Sequence, residues 1–256
     1  MDIGVLHVWP IGVSALISAG FGLLLSRSTS WWTADDGHVG VLARSHAFRP
    51  LPLAVLGIVL ATVATLLFPG IGPAFVAGSS TASNPVAGSS AGLGAFDAFL
   101  LALSLGTAAA ATPFLVVVDF VIHRLPDRIM YPLIGAELLV LALGSLLGES
   151  QMWVLALIAG GAGVLFFGIL HLIGRVMHAR TMGLGDVKLA FVVFGVPTLF
   201  SVWAPALVLI IMMLIAGLAA LLSAAARRSL KTTTIAFGPA MLSGMWFGSV
   251  LAPILL

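Results

Sequence analysis

Four acidic side chains lie inside or at the edges of long apolar runs: Asp119, Asp127, Glu137 and Asp186. An ionisable group in lipid is costly, so each is a functional candidate by default. Asp119 closes the apolar stretch Phe114 to Val118, and Asp186 immediately precedes the run that starts at Val187. Two carboxyl groups held close together cannot both ionise cheaply, so they share one proton. Such a dyad hydrolyses a peptide bond without a covalent nucleophile. The ionised member takes a proton from water as the water attacks, and the protonated member hydrogen-bonds the scissile carbonyl. A lone aspartate at a helix end is ordinarily a cap, because Asp is a favoured N-cap residue. The choice between dyad and cap turns on whether Asp119 and Asp186 reach one depth on separate helices.

The elements that must position them are membrane spans. Of the 256 residues, 61% are hydrophobic and 8% charged, where an average soluble domain has about 25% charged. Crossing the hydrocarbon core takes about 20 helical residues. Runs of that kind extend over Ile3–Ser26, Leu51–Ala77, Phe96–Val118, Ile129–Gly148 and Met152–Gly174, then Val187 to about Trp203, about Pro205 to Ser223, and Ile235–Leu256. The last boundaries are blurred by Pro197 and Pro205. The expected fold is therefore all-α, a polytopic membrane protein with about eight transmembrane helices. The chain starts Met1-Asp2 with no positive n-region, so its first run is expected to be retained as a span.

Arg27, Arg44, Arg49, Arg124, Arg128, Arg175, Arg180, Lys188, Arg227, Arg228 and Lys231 all fall after odd-numbered runs or just inside the next. Positive residues stay cytoplasmic, so both termini are expected outside and both aspartates at the cytoplasmic edge. The division that follows is an N-terminal two-span region, residues 1–95, with a cytoplasmic loop at 27–50, and a six-helix core, 96–256, holding the candidate dyad. The Ser79–Gly94 linker reads as a flexible external loop. Cysteine is absent, which excludes disulfides, a thiolate nucleophile and cysteine-based zinc sites. A formal charge of +2 with scattered basic residues gives no nucleic-acid footprint.

The local sequences narrow the chemistry. Around the first aspartate the chain reads Asp119-Phe120-Val121-Ile122-His123-Arg124-Leu125-Pro126-Asp127, and around the second Met182-Gly183-Leu184-Gly185-Asp186-Val187-Lys188. The two glycines are expected to let the backbone bend and approach a strand-like substrate. A third element, Phe237-Gly238-Pro239, precedes the last run. In this order the three resemble the bacterial prepilin peptidases, GxGD-type intramembrane aspartic proteases. That family carries an aspartate, six further residues, proline and Asp or Asn, then GxGD, then an FGP opening the final helix. The resemblance covers about Phe96 to the C-terminus.

It implies that Asp119 and Asp186 are the catalytic pair, with Pro126, Asp127, Gly183, Gly185, Lys188, Phe237, Gly238 and Pro239 as the motif residues around them. It also implies the family's substrate, a type IV prepilin or pseudopilin precursor in a prokaryotic cell membrane, cut after a glycine to release a short basic leader. Neither a metal nor a cofactor is implied. Larger bacterial members carry two CxxC pairs in a cytoplasmic loop, linked to N-methylation of the new terminus; this chain has the loop but no cysteine, so methyltransferase activity is not implied.

Other features read more plainly. Asp127 follows Pro126 as a helix cap or a support for the pair, and Lys188 as a snorkelling lysine or a neighbour that tunes Asp186. Glu137 is expected to be protonated and paired with another helix, with a place on a proton path as the alternative. His123, His171 and His178 show no metal-ligand spacing and read as interface histidines. Gly88-Ser89-Ser90-Ala91-Gly92 matches GxSxG without a strand and helix around it, and Gly244 with Gly248 reads as a packing face. Three rival functions remain at this stage. A proton-coupled transporter would use the same buried acids, though no internal repeat supports it. A non-catalytic pilin-holding protein leaves the Gly-Leu-Gly-Asp turn unexplained. A wider GxGD protease would typically place Tyr before its first aspartate, where this chain has Val118.

Overall fold

The structure, a computed structural model, describes residues 9–28, 31, 49–69, 71, 93–177, 183–227 and 236–255. Within them the chain forms helices α1 (Trp9–Arg27), α2 (Pro50–Leu66), α3 (Ala95–Ile122), α4 (Asp127–Leu147), α5 (Met152–Val176), α6 (Leu184–Thr198), α7 (Ala204–Arg227) and α8 (Gly238–Leu255). Six of them, all but α2 and α6, are long and apolar enough to cross a membrane, and the protein is a polytopic all-α membrane protein. Helices suit this environment because each satisfies its own backbone polar groups where no water can. α6 has only 15 residues, yet every residue from Leu189 to Ser201 is buried. From Leu189 onward neighbouring helices, and not lipid, surround it.

α3 is the central element. It packs against α1, α2, α4 and α8 and touches α6, while α5 pairs with α6 and α7 with α8. Small residues set these distances, as expected where apolar lipid gives no hydrophobic drive to helix association. A Cβ on Gly57 of α2 would lie 3.1 Å from the Ala109 carbonyl oxygen of α3. One on Gly106 of α3 would lie 2.8 Å from the Ser14 carbonyl oxygen of α1. Gly244 and Gly248 form the expected packing face: Cβ atoms there would meet Met212 and Val208 of α7 at 2.7 and 2.5 Å.

Polar contacts between helices fix which ends lie together. Trp153 Nε1 of α5 donates to Asp97 Oδ1 at the start of α3 (3.0 Å), beside Gly148, which follows α4. At the other end, the last turn of α3 meets the first turns of α6 and α8. Trp246 Nε1 of α8 donates to Thr112 Oγ1 of α3 at 3.0 Å, and the two helices run antiparallel from there. Seven residues along α3 lead to Asp119, and eight back along α8 lead to Gly238. At about 1.5 Å per residue both paths span about 10–12 Å, so the two positions coincide.

Several boundaries differ from the sequence expectation. α2 stops at Leu66 instead of running to Ala77, because Pro69 cannot continue a helix. α3 runs on to Ile122, a turn beyond Val118. α6 begins at Leu184 and ends at Thr198, which places Asp186 within its first turn, and α7 begins at Ala204. Most of the loop at 27–50, the 88–92 GxSxG stretch, Met182, Arg180 and His178 lie outside the described residues.

Glu137 is paired to another helix, as expected. It is fully buried on α4, and it accepts hydrogen bonds from Ser104 Oγ (2.8 Å) and Thr107 Oγ1 (3.1 Å), one turn apart on α3. Replacing it by leucine removes both acceptors and strands the Ser104 hydroxyl. Interhelical hydrogen bonds in membranes average about 0.6 kcal/mol and reach about 1.7. Glu137→Leu should therefore cost about 1–2 kcal/mol of unfolding free energy in lipid or mild detergent, and Glu137→Gln, which keeps an acceptor, about half of that or less.

Candidate active site

Asp119 sits in the last turn of α3 and is only 5% exposed. The helix ends four residues later at His123, whose backbone is left-handed (φ 54°, ψ 38°) and whose N–H donates to the Asp119 carbonyl oxygen at 2.9 Å. A side chain in this region costs about 1–2 kcal/mol. Here it reverses the chain within the four residues 123–126 and sends it into α4. Pro126 is the N-cap of α4 in extended backbone, and α4 opens at Asp127. The proline thus sets the entry of α4 while lacking only an N–H that would be unpaired in any case.

Asp186 is the third residue of α6, half-buried, and its Oδ2 accepts the N–H of the N-cap residue Gly183 at 3.1 Å. Asp186 is therefore a helix-capping aspartate. The expected glycine bend is not there. Gly183 has φ −70° and ψ 154°, which any residue can adopt, and Gly185 is helical. What Gly185 supplies is room: a Cβ on it would lie 3.1 Å from Leu125 Cβ. Glycine thus lets the first turn of α6 press against the α3–α4 connection.

Asp119 and Asp186 stand on helices that touch, α3 and α6, and their carboxyl groups lie within electrostatic reach of one another. Residue 238 joins them from α8. The Gly238 N–H donates to Asp119 Oδ2 at 2.9 Å, and a Cβ on Gly238 would sit 2.8 Å from that oxygen. The third motif therefore acts directly on the first aspartate, with glycine the residue that fits there. Beside it the half-buried Phe237 ring lies 6.4 Å from Phe167 of α5. Pro239 falls in the first turn of α8, where a missing N–H breaks no helical bond.

Asp127 and Lys188 prove to be each other's partner. Asp127 is the first residue of α4, after the N-cap Pro126, and its Oδ1 lies 2.6 Å from Lys188 Nζ. The same ammonium donates to Tyr131 Oη at 3.0 Å and stands 4.4 Å from the centre of that ring. Tyr131 escaped the sequence reading, although it is the chain's single tyrosine and follows Asp127 by four residues, the spacing that puts two side chains on one helix face. His123 was read as an interface histidine. It is exposed, but it also ends the helix that carries Asp119 and lies within electrostatic reach of that carboxylate. A histidine in left-handed backbone has no sequence signal beyond its place before Arg-Leu-Pro.

Among the described residues, no group of three or more His, Asp or Glu side chains could hold a metal ion. A cleft of about 210 Å³ lined by Asp97 and Glu149 lies at the far end of the bundle, and one of about 440 Å³ lies beside Arg27. Neither includes Asp119 or Asp186. The chemistry of the residues, and not cavity size, marks the candidate site. In comparisons with known proteins, the chain matches no family model, no curated protein and no solved structure.

Proposed function

We propose that the protein is a membrane-embedded aspartic endopeptidase that removes the leader from type IV prepilin-like precursors at the cytoplasmic face of a prokaryotic cell membrane. The reading rests on Asp119 and Asp186, which stand on the touching helices α3 and α6 within electrostatic reach of one another, near the chain positions where Arg124, Arg128 and Lys188 fall. Their order in the chain, with Pro126-Asp127, Gly183-Leu184-Gly185-Asp186 and Phe237-Gly238-Pro239, supports prepilin-type substrates through the family resemblance.

In the proposed reaction the pair holds one proton and one water. The ionised aspartate removes a proton from the water as its oxygen attacks the scissile carbonyl, while the protonated aspartate donates to the carbonyl oxygen. The resulting tetrahedral species then collapses, the C–N bond breaks, and the leaving amine takes up a proton. The Gly238 N–H holds Asp119 in place throughout. A substrate whose apolar helix lies in the bilayer would present its membrane-edge peptide bond at this depth. Its basic leader would stay in the cytoplasm, in keeping with the positive-inside rule.

N-terminal sequencing of a prepilin made with and without this protein tests the proposal. The expected product starts one residue after a glycine at the foot of the apolar helix and appears only in the presence of the protein. An intact precursor N-terminus in both cases would contradict it. One observation favours a second reading: Glu137 is a fully buried acid that the hydrolytic scheme does not use. A proton-coupled transporter would employ such a group. It would show pH-driven flux in proteoliposomes and no cleavage.

A further inference from the structure

We infer that Lys188 is a positioning residue, which sets the separation of the two carboxyl groups by tying the first turn of α6 to the first turn of α4 through Asp127 and Tyr131. The inference rests on the dyad reading and adds to it the device that holds the dyad. Asp119 and Asp186 sit on helices that touch only lightly, α3 and α6, so the spacing of their carboxyl groups depends on contacts made elsewhere on the two helices.

Two contacts set that spacing, one from the α3–α4 connection and one from the first residue of α4. Leu125, in the α3–α4 link, packs against Gly185, the residue before Asp186. Asp127, two residues further on, meets Lys188, two residues after Asp186, at 2.6 Å. On a helix, residues two apart point about 200° away from each other. Lys188 therefore faces α4 while Asp186 faces the other way, and a pull on the lysine sets the rotation of α6 about its axis. An isolated surface ion pair contributes little to stability, about 0–1 kcal/mol, so stability is not the purpose argued here. The ammonium is held by two side chains, the Asp127 carboxylate and Tyr131, whose hydroxyl it meets at 3.0 Å, and two partners restrict its position where one pair does not. Side-chain exposures of 27% for Lys188 and 57% for Asp127 leave the pair reachable by salt.

The test compares steady-state cleavage by the purified full-length protein in lipid vesicles for the wild type, K188M, K188D, D127K, Y131F and the exchanged pair D127K/K188D, with thermal unfolding of each. A misplacement of about 1 Å costs up to about 100-fold in rate. K188M and both single reversals should lower kcat by tenfold or more with KM changed less than threefold, Y131F by a smaller factor, and the exchanged pair should recover most of the loss. High salt should slow the wild type more than K188M. K188M and Y131F retain the side-chain bulk, so they decide the matter even where a charge reversal fails to fold. Wild-type kcat in K188M, or an exchanged pair as slow as the single reversals while folding normally, would overturn the inference. D119N run alongside separates the two readings: if it still cleaves, the dyad itself is wrong and the positioning role goes with it.

Discussion

Asp119→Asn and Asp186→Asn, made singly, should each insert and fold normally yet lose prepilin cleavage by at least about 100-fold. General acid–base groups contribute roughly 10²–10⁴ to rate, and an amide can neither take up the proton from water nor give one up as a carboxylic acid does. Asparagine is nearly isosteric with aspartate, so the packing of the 5% exposed residue 119 is kept. At position 119 it also keeps an oxygen able to accept the Gly238 N–H, now at 2.9 Å. The loss is therefore one of chemistry and not of fold. A co-expression gel-shift assay reads it directly. Processing at the wild-type rate by either variant would remove the proposed pair.

The second large effect is expected where no titratable group is touched. A methyl on residue 238 would occupy a point 2.8 Å from Asp119 Oδ2 and 3.2 Å from its Cγ. Asp119 is buried and cannot swing into solvent, so Gly238→Ala must push the carboxyl group by several tenths of an ångström or more. Orientation effects of that size cost roughly 10–100-fold in rate. We expect Gly238→Ala to lower kcat by that factor with insertion unchanged, and Gly238→Val to lose cleavage altogether. Gly161 of α5 supplies the control, since a Cβ there meets nothing within 4 Å. Gly161→Ala should cleave like the wild type and, by helix propensity, be no less stable. Wild-type turnover by Gly238→Ala would show that the α8 terminus does not seat Asp119.

Much of this was legible in the sequence. Hydropathy alone located the spans, because about 20 apolar residues have few other uses, and the distribution of Arg and Lys put Asp119 and Asp186 at one end before any helix was placed. The parts that were not legible depend on contacts across long stretches of chain. Nothing in Phe237-Gly238-Pro239 says that its glycine N–H reaches a carboxylate 119 residues earlier. Likewise, Asp127 and Lys188 each had a sufficient local explanation, a helix cap and a snorkelling side chain, and only their separation of 2.6 Å shows that they pair.

The glycine motif misled for a different reason. Gly-Leu-Gly reads as a turn by propensity, but tertiary packing overrides a weak local preference. The helix starts at Leu184, and Gly185 is small because Leu125 is close. His123 is the opposite case. A left-handed residue is usually announced by glycine or asparagine, and here a histidine takes that conformation to end the helix that carries Asp119.

The most direct test of the central claim is the cleavage rate of purified protein in lipid vesicles for four forms: wild type, D119N, D186N and the double variant. If one water is activated by the two carboxyls acting as a unit, each single change removes the whole device. The double variant should then be no slower than the slower single, as residues that act together are strongly non-additive. Losses that multiply in the double variant, or a single variant that cleaves at the wild-type rate, would contradict the account.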